Sequence, residues 1–207
     1  MNPQTIKIIA ALFSMKQEIK TLFFVVIAIC LLPIFAVIIL TQEGIDVISG
    51  ALATWNPQTA QVEIHDPRTG DVVYTVDSKV VWPVGGPISL EFGQFSPYQL
   101  FHSGIDIASP TREVGTPVAA FMTGTVTYAD QTLIGYGKHV VIDNGHHITS
   151  IYGHLDTLNV IKGQPIGVGE VIGTRGTTGW STGPHLHFEI RVFGIPVNPR
   201  TFLTGDP

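Results

Sequence analysis

The stretch Gly183-Pro184-His185-Leu186-His187-Phe188-Glu189-Ile190-Arg191 decides how this chain is read. Leu186, Phe188 and Ile190 alternate with His185, His187, Glu189 and Arg191, the period-two pattern of a β-strand. Side chains two residues apart on a strand leave the same face, so His185 and His187 stand side by side. Imidazole is both the commonest metal ligand and the commonest acid–base group at neutral pH. A lone His-x-His is a weak signal, and its meaning depends on what further ligands the chain supplies.

Outward from this strand, the chain from Val81 onward consists of short apolar runs punctuated by glycine. Residues 116–121, 124–129, 139–143, 148–152, 166–172 and 185–192 read as strands, joined by Gly and Asn-Gly turns. No long segment of helical period follows residue 40. The expected fold is therefore all-β: a glycine-rich antiparallel β sandwich or barrel-sandwich domain over 81–207.

Two further histidine segments precede the His-x-His strand. Phe101-His102-Ser103-Gly104-Ile105-Asp106 pairs an imidazole with a carboxylate four residues later, and Tyr152-Gly153-His154 adds another imidazole. Zinc favours neutral imidazole and carboxylate, and a catalytic zinc keeps one position open for water. Four histidines and one aspartate suffice for three ligands and two proton-handling groups. Any one of them could be an ordinary core or turn residue, and His65, His139, His146 and His147 are read that way. The flanking glycines Gly104, Gly153 and Gly183 favour a site, because backbone passing close to one needs small residues.

These segments together resemble the ordered signature of the lysostaphin-type zinc endopeptidases, the family that includes LytM and the β-lytic enzymes. Its pattern is H-x-x-x-D, then H, then H-x-H, here His102 to Asp106, His154 and His185 to His187. The similarity covers roughly 81–203, including Gly173 to Thr182 and Val197-Asn198-Pro199. The resemblance implies one zinc ion per chain held by His102, Asp106 and His187, with water in the fourth position. His154 and His185 would be the catalytic histidines, and the substrates would be peptides of bacterial peptidoglycan. Tyr152, two residues from His154, is expected to line the substrate groove, ahead of Tyr136. Trp55, Trp82 and Trp180 could stack on a glycan, although isolated tryptophans more often pack in cores.

The N-terminal part reads differently. Residues 1–20 are short and mildly basic, and 21–40 run without a charge for about the 20 residues that span a hydrocarbon core. Lys7, Lys16 and Lys20 precede the run whereas Glu43 and Asp46 follow it, which places the N-terminus in the cytoplasm and the rest outside. The expectation is a single transmembrane α-helix anchoring an extracytoplasmic domain at the cell membrane. A cleaved signal peptide fits less well because bulky Ile38, Ile39 and Leu40 close the run. A lipoprotein signal at Cys30 and a buried core helix fit less well still. Residues 41–80 read as a connector with a hairpin, Val62 to His65 against Val72 to Val76.

A net charge of -5 gives no basic footprint, so nucleic acid is not expected as a partner. Three other readings compete with an anchored wall peptidase. A catalytically dead relative would activate another hydrolase, but such relatives lose metal ligands and here all five residues are present. A lipoyl-like module, resembled by 115–126, would carry a lysine at its hairpin tip, where Thr123-Gly124 stands. A cupin-like metal site places further ligands after His-x-His rather than before it. Cell-envelope machinery is an expected class of partner.

Overall fold

The computed structural model describes residue 4 and residues 17–76, 79–96, 99–203 and 205–207, without the side chains of 18 and 33–42. Most of the basic N-terminal segment therefore lies outside the described residues. The chain divides into two compact units, Met1–Thr41 and Gln42–Pro207.

The first unit holds most of one helix, α1 (Gln17–Leu52). From Ile19 to Leu32 its large apolar side chains are exposed on every side, Leu22, Phe24, Ile29 and Leu32 among them. Among the described residues no helix is long and apolar enough to cross a membrane, so the expected transmembrane span is not supported by the structure. The second half of the uncharged run falls among the residues whose side chains are not described. The helix also continues to Leu52 where a connector was expected.

The second unit begins with the end of that helix and a three-stranded antiparallel sheet: β1 (Ala53–Asn56), β2 (Gln61–His65) and β3 (Val72–Val76). Leu52, Ala53, Val62, Ile64 and Val76 enter the same buried cluster as the histidine strand's Leu186, Phe188 and Ile190. Leu52 to Val76 thus pack in the same compact unit as the histidine strand.

The remaining strands form one ten-stranded antiparallel sheet. They are β4 (Ile88–Leu90), β5 (Ile105–Ala108), β6 (Pro117–Ala119), β7 (Gly124–Gln131), β8 (Lys138–Gly145), β9 (Ile148–Leu158), β10 (Pro165–Ile166), β11 (Val171–Arg175), β12 (His185–Val192) and β13 (Ile195–Val197). The main order is β10-β7-β8-β9-β12-β5-β4; β11 pairs with β6 and β9, and β13 with β12. A sandwich or barrel-sandwich was expected; the ladder is continuous because β9, paired with β8 along one edge, serves both β12 and β11 along the other. Its residues 148–153 pair with β12, and 155, 157 and 158 pair with β11. Between these segments Gly153 and His154 together oppose the single residue His139 of β8, a β-bulge. His154 has φ +60, in the left-handed region. A bulge bends a strand and lets it change partners.

The core lies under β12. Leu186, Phe188, Ile190 and Val192 have no exposed surface, and Phe188 packs edge-on against Phe121 with ring centroids 5.5 Å apart. Burying one such side chain contributes about 1.5–3 kcal/mol. Gly104 permits the close approach of β5 to β12: a Cβ there would lie 2.3 Å from the Phe188 carbonyl oxygen. The turn between β8 and β9 is formed by His146 and His147, with φ 50 and 64, rather than by Asn144-Gly145. Both central residues of such a turn need positive φ. His146 stacks on Tyr74 of β3, ring centroids 3.6 Å apart, and His147 on Phe193 at 4.1 Å.

Candidate active site

Strand register assembles the first three groups. Asp106 on β5 lies directly across from His187 on β12, and His102 reaches the same point from the turn before β5. His102 Nε2 is 3.1 Å from Asp106 Oδ1 and 3.0 Å from His187 Nδ1, and His187 Nδ1 is 2.9 Å from Asp106 Oδ1. Donors bonded to a tetrahedral zinc at about 2.0–2.1 Å stand about 3.3 Å apart, so this triangle needs little expansion to hold the ion. Among the described residues it is the group of three whose donor atoms could hold a metal.

The outer nitrogens of both imidazoles are already committed. His102 Nδ1–H donates to the Glu91 carbonyl at 3.0 Å, and His187 Nε2–H faces Glu189 Oε2 at 3.4 Å. Each ring therefore presents its other nitrogen to Asp106, the arrangement in which an outer-shell acceptor fixes the ligating tautomer.

The remaining two histidines line the same cleft, whose volume is about 330 Å³. His185 projects from the same face of β12 as His187, and its Nε2 lies 3.6 Å from Asp106 Oδ2. His154 is brought to this side by the bulge, and its ring centroid is 4.6 Å from that of His185. Both have Nδ1–H pinned to backbone carbonyls at 2.8 Å, Gly183 for His185 and Thr178 for His154. Nε2 of each is left for chemistry. Two loops close the cleft wall. The Trp180 N–H donates to the Gly135 carbonyl at 2.9 Å, and Gly137, at φ +63, passes so close that a Cβ would meet the Thr178 carbonyl carbon at 2.4 Å.

The electrostatics separate the histidines. Burial pushes the His154 imidazole down to about 4, helped by the nearby His185 and His187. It is neutral at pH 7. Burial also acts to lower His187, but hydrogen bonds with the Asp106 and Glu189 carboxylates outweigh it and raise the group to about 9 in the metal-free chain. Burial would raise Asp106; hydrogen bonds from His102 and His187 overcome this and hold its carboxyl far below the usual range.

Tyr152 does not line the cleft. It is fully buried, its ring tilted against Phe188 at 5.3 Å, and its hydroxyl accepts the Phe121 N–H at 2.9 Å. Simple alternation would put it on the face of His154, but the extra residue of the bulge sends the two to opposite faces. Tyr136 lines the cleft instead. The other histidines lie elsewhere. His139 is buried with Nδ1–H on the Gly137 carbonyl at 2.9 Å, and His65 Nδ1–H meets the Gly70 carbonyl at 3.1 Å. Of the tryptophans, Trp180 lines the cleft, whereas Trp82 lies partly buried against the core, 5.9 Å from the Arg200 guanidinium carbon.

Sequence reasoning gave Glu189 no role. It has no exposed surface, and Ser103, Tyr136, His187 and Arg191 all direct donors at it. Burial would raise its pKa, but the hydrogen bond from His187 and the charges of His187 and Arg191 bring it down to about 2. The signal was its spacing, two residues beyond His187 on the same face.

Residues 100–199 match the family model for peptidase family M23. The chain is 46% identical over 106 residues to the DD-carboxypeptidase/endopeptidase Mpg of Neisseria meningitidis serogroup B, covering 51% of this chain and 24% of that one. It is 38% identical over 122 residues to the murein hydrolase activator NlpD of Salmonella dublin, covering 59% of this chain and 30% of that one. The chain thus spans well under half the length of these curated relatives. A solved catalytic domain of the prophage-encoded M23 protein EnpA from Enterococcus faecalis superposes with TM-score 0.51 at 35% identity, covering 59% of this chain and 93% of that one. Agreement at that identity over nearly the whole of another catalytic domain exceeds shared architecture, and the chain belongs to peptidase family M23.

Proposed function

We propose that this chain is a zinc metalloendopeptidase that cleaves peptides of bacterial peptidoglycan. The observation that carries the reading is the convergence of His102, Asp106 and His187 on one point, with His154 and His185 beside it on the open side. His102 and His187 would hold zinc through Nε2 and Nδ1, and Asp106 through Oδ1. Bound there, zinc supplies Lewis-acid polarisation of a peptide carbonyl and acidifies water.

The chain's own residues supply the proton handling. His154 is neutral at pH 7 with Nδ1–H held by Thr178, so Nε2 can accept a proton from the attacking water. His185, held in the same way by Gly183, stands near Asp106 and can hydrogen-bond the developing oxyanion or protonate the leaving amine. The ring of Tyr136 forms part of the wall along which the peptide lies.

The uncharged stretch 21–40 of the sequence supports reading it as a single-pass membrane anchor with an extracytoplasmic catalytic unit. Cell-envelope machinery is the class of partner that fits such a location. Retention of the chain in the membrane fraction after an alkaline carbonate wash tests the anchor.

The similarity to a murein hydrolase activator favours a second reading, in which the domain binds the wall and stimulates another hydrolase. One experiment separates the two. The full chain in detergent is incubated with purified peptidoglycan, with and without a chelator, and metal content is measured. Chelator-sensitive release of new amino termini, with about one zinc per chain, supports the peptidase. Metal uptake with no cleavage, but with stimulation of a separate murein hydrolase, supports the activator.

A further inference from the structure

We propose that Glu189, braced by Tyr136, Ser103 and Arg191, is a positioning residue that orients His187 and so sets the metal affinity of the centre. This rests on reading His187 as a metal ligand.

A carboxylate with no exposed surface is costly unless its oxygens are saturated with donors. Glu189 meets that condition fully. Oε2 accepts from the Tyr136 hydroxyl at 2.7 Å and from the Ser103 hydroxyl at 2.8 Å, and it faces His187 Nε2–H at 3.4 Å. Oε1 accepts from Arg191 Nε, and Arg191 Nη2 also reaches the Tyr136 hydroxyl at 3.4 Å. The carboxylate is thus fixed from three elements, and the direction it leaves open is towards His187.

The imidazole needs such a partner. The second torsion of histidine is broad and roughly two-fold, so an unpartnered ring can turn over and offer the other nitrogen. A carboxylate at Nε2 holds the ring with Nδ1 towards Asp106 and His102. Tyr136 extends this support to the rest of the cleft: its carbonyl accepts the His154 N–H at 2.7 Å while its hydroxyl holds Glu189. One residue of the cleft wall therefore steadies both the backbone of His154 and, through Glu189, the ring of His187.

The test is a pair of conservative variants of the full chain, Glu189→Gln and Tyr136→Phe. Glu189→Gln keeps the shape and one accepting oxygen but loses the charge. Tyr136→Phe keeps the ring in the wall and removes one donor. Zinc affinity is measured by competition with a chromophoric chelator, and the visible spectrum of the cobalt-loaded protein reports ligand geometry. Glu189→Gln is expected to weaken zinc binding by about 10–100-fold, the usual effect of losing an outer-shell partner, and to shift the cobalt bands. Tyr136→Phe should move both in the same direction by less. Wild-type affinity and an unchanged cobalt spectrum in both variants, with lowered unfolding midpoints of the metal-free chain, would mean that Glu189 only holds strands together, and would overturn the inference alone. A wild-type chain that takes up no zinc would overturn the metal-centre reading and this inference with it.

Discussion

Asp106 lies directly opposite His187 across the β5–β12 ladder, with its Oδ1 2.9 Å from His187 Nδ1. The residues are 81 positions apart in sequence, so their meeting is a product of the sheet. In the metal-free chain they form an ion pair, and a bound cation would take the place of the proton between them. Several expectations depend on that exchange.

Metal binding should release a proton. His187 is raised to about 9 without metal, so at pH 7 the ion must displace the proton on Nδ1. Zinc affinity should rise about tenfold per pH unit between pH 7 and 9 and level off above that. Chelator competition across this range checks the slope, and a flat profile counts against His187 as a ligand.

The stability of the metal-free chain should fall over much the same range. His187 shifts from an ordinary 6.5 to about 9 on folding, so its contribution is fully present below 6.5 and is lost as pH rises through 9. Glu189 works the other way: lowered from 4.5 to about 2, it stabilises above 4.5 and loses this as pH falls through 2. Urea midpoints of the chelator-treated chain should decline from pH 6.5 to 9, and saturating zinc should remove that decline.

The histidines should divide into two classes. His187→Ala is expected to lose both zinc and hydrolysis. His154→Ala and His185→Ala should keep about one zinc per chain and lose about 10²–10⁴-fold in hydrolysis, the range for an acid–base group. Metal analysis beside an amino-terminus release assay distinguishes them, and equal zinc loss in all three would refute the assignment.

Tyr152 should matter to the fold and not to the chemistry. Tyr152→Phe leaves the buried Phe121 N–H without its acceptor, at a cost of about 1–3 kcal/mol. Chemical denaturation should register that loss, whereas hydrolysis per folded molecule should match the wild type.

Gly104→Ala tests the closeness of β5 and β12. The added methyl group would sit 2.3 Å from the Phe188 carbonyl oxygen, so the strands must separate where Asp106 and His187 face each other. Weaker zinc binding together with a lower unfolding midpoint is expected; a change in neither would mean that the strands adjust without cost.

The histidine strand was legible in sequence because its alternation is local: Leu186, Phe188 and Ile190 go inward, and His185 and His187 go to the cleft. Tyr152 was misread because a bulge depends on the residues opposite it, and no pattern within 148–158 marks the extra one. The role of Glu189 was hidden for a related reason, since three of its partners come from distant segments or from residues with no motif of their own. The continuation of α1 to Leu52 went unseen because glycine is a poor helix former, yet the helix runs through Gly44 and Gly50.

The partner change along β9 places His154 at a crease in the sheet rather than on a loop. A crease is held from both sides, which fixes the His154 imidazole relative to the sheet. The segments 131–137 and 176–183 hold that crease from the cleft side, the Tyr136 carbonyl taking the His154 N–H and the Thr178 carbonyl its Nδ1–H. A change in either segment would therefore alter the cleft wall and the position of His154 together.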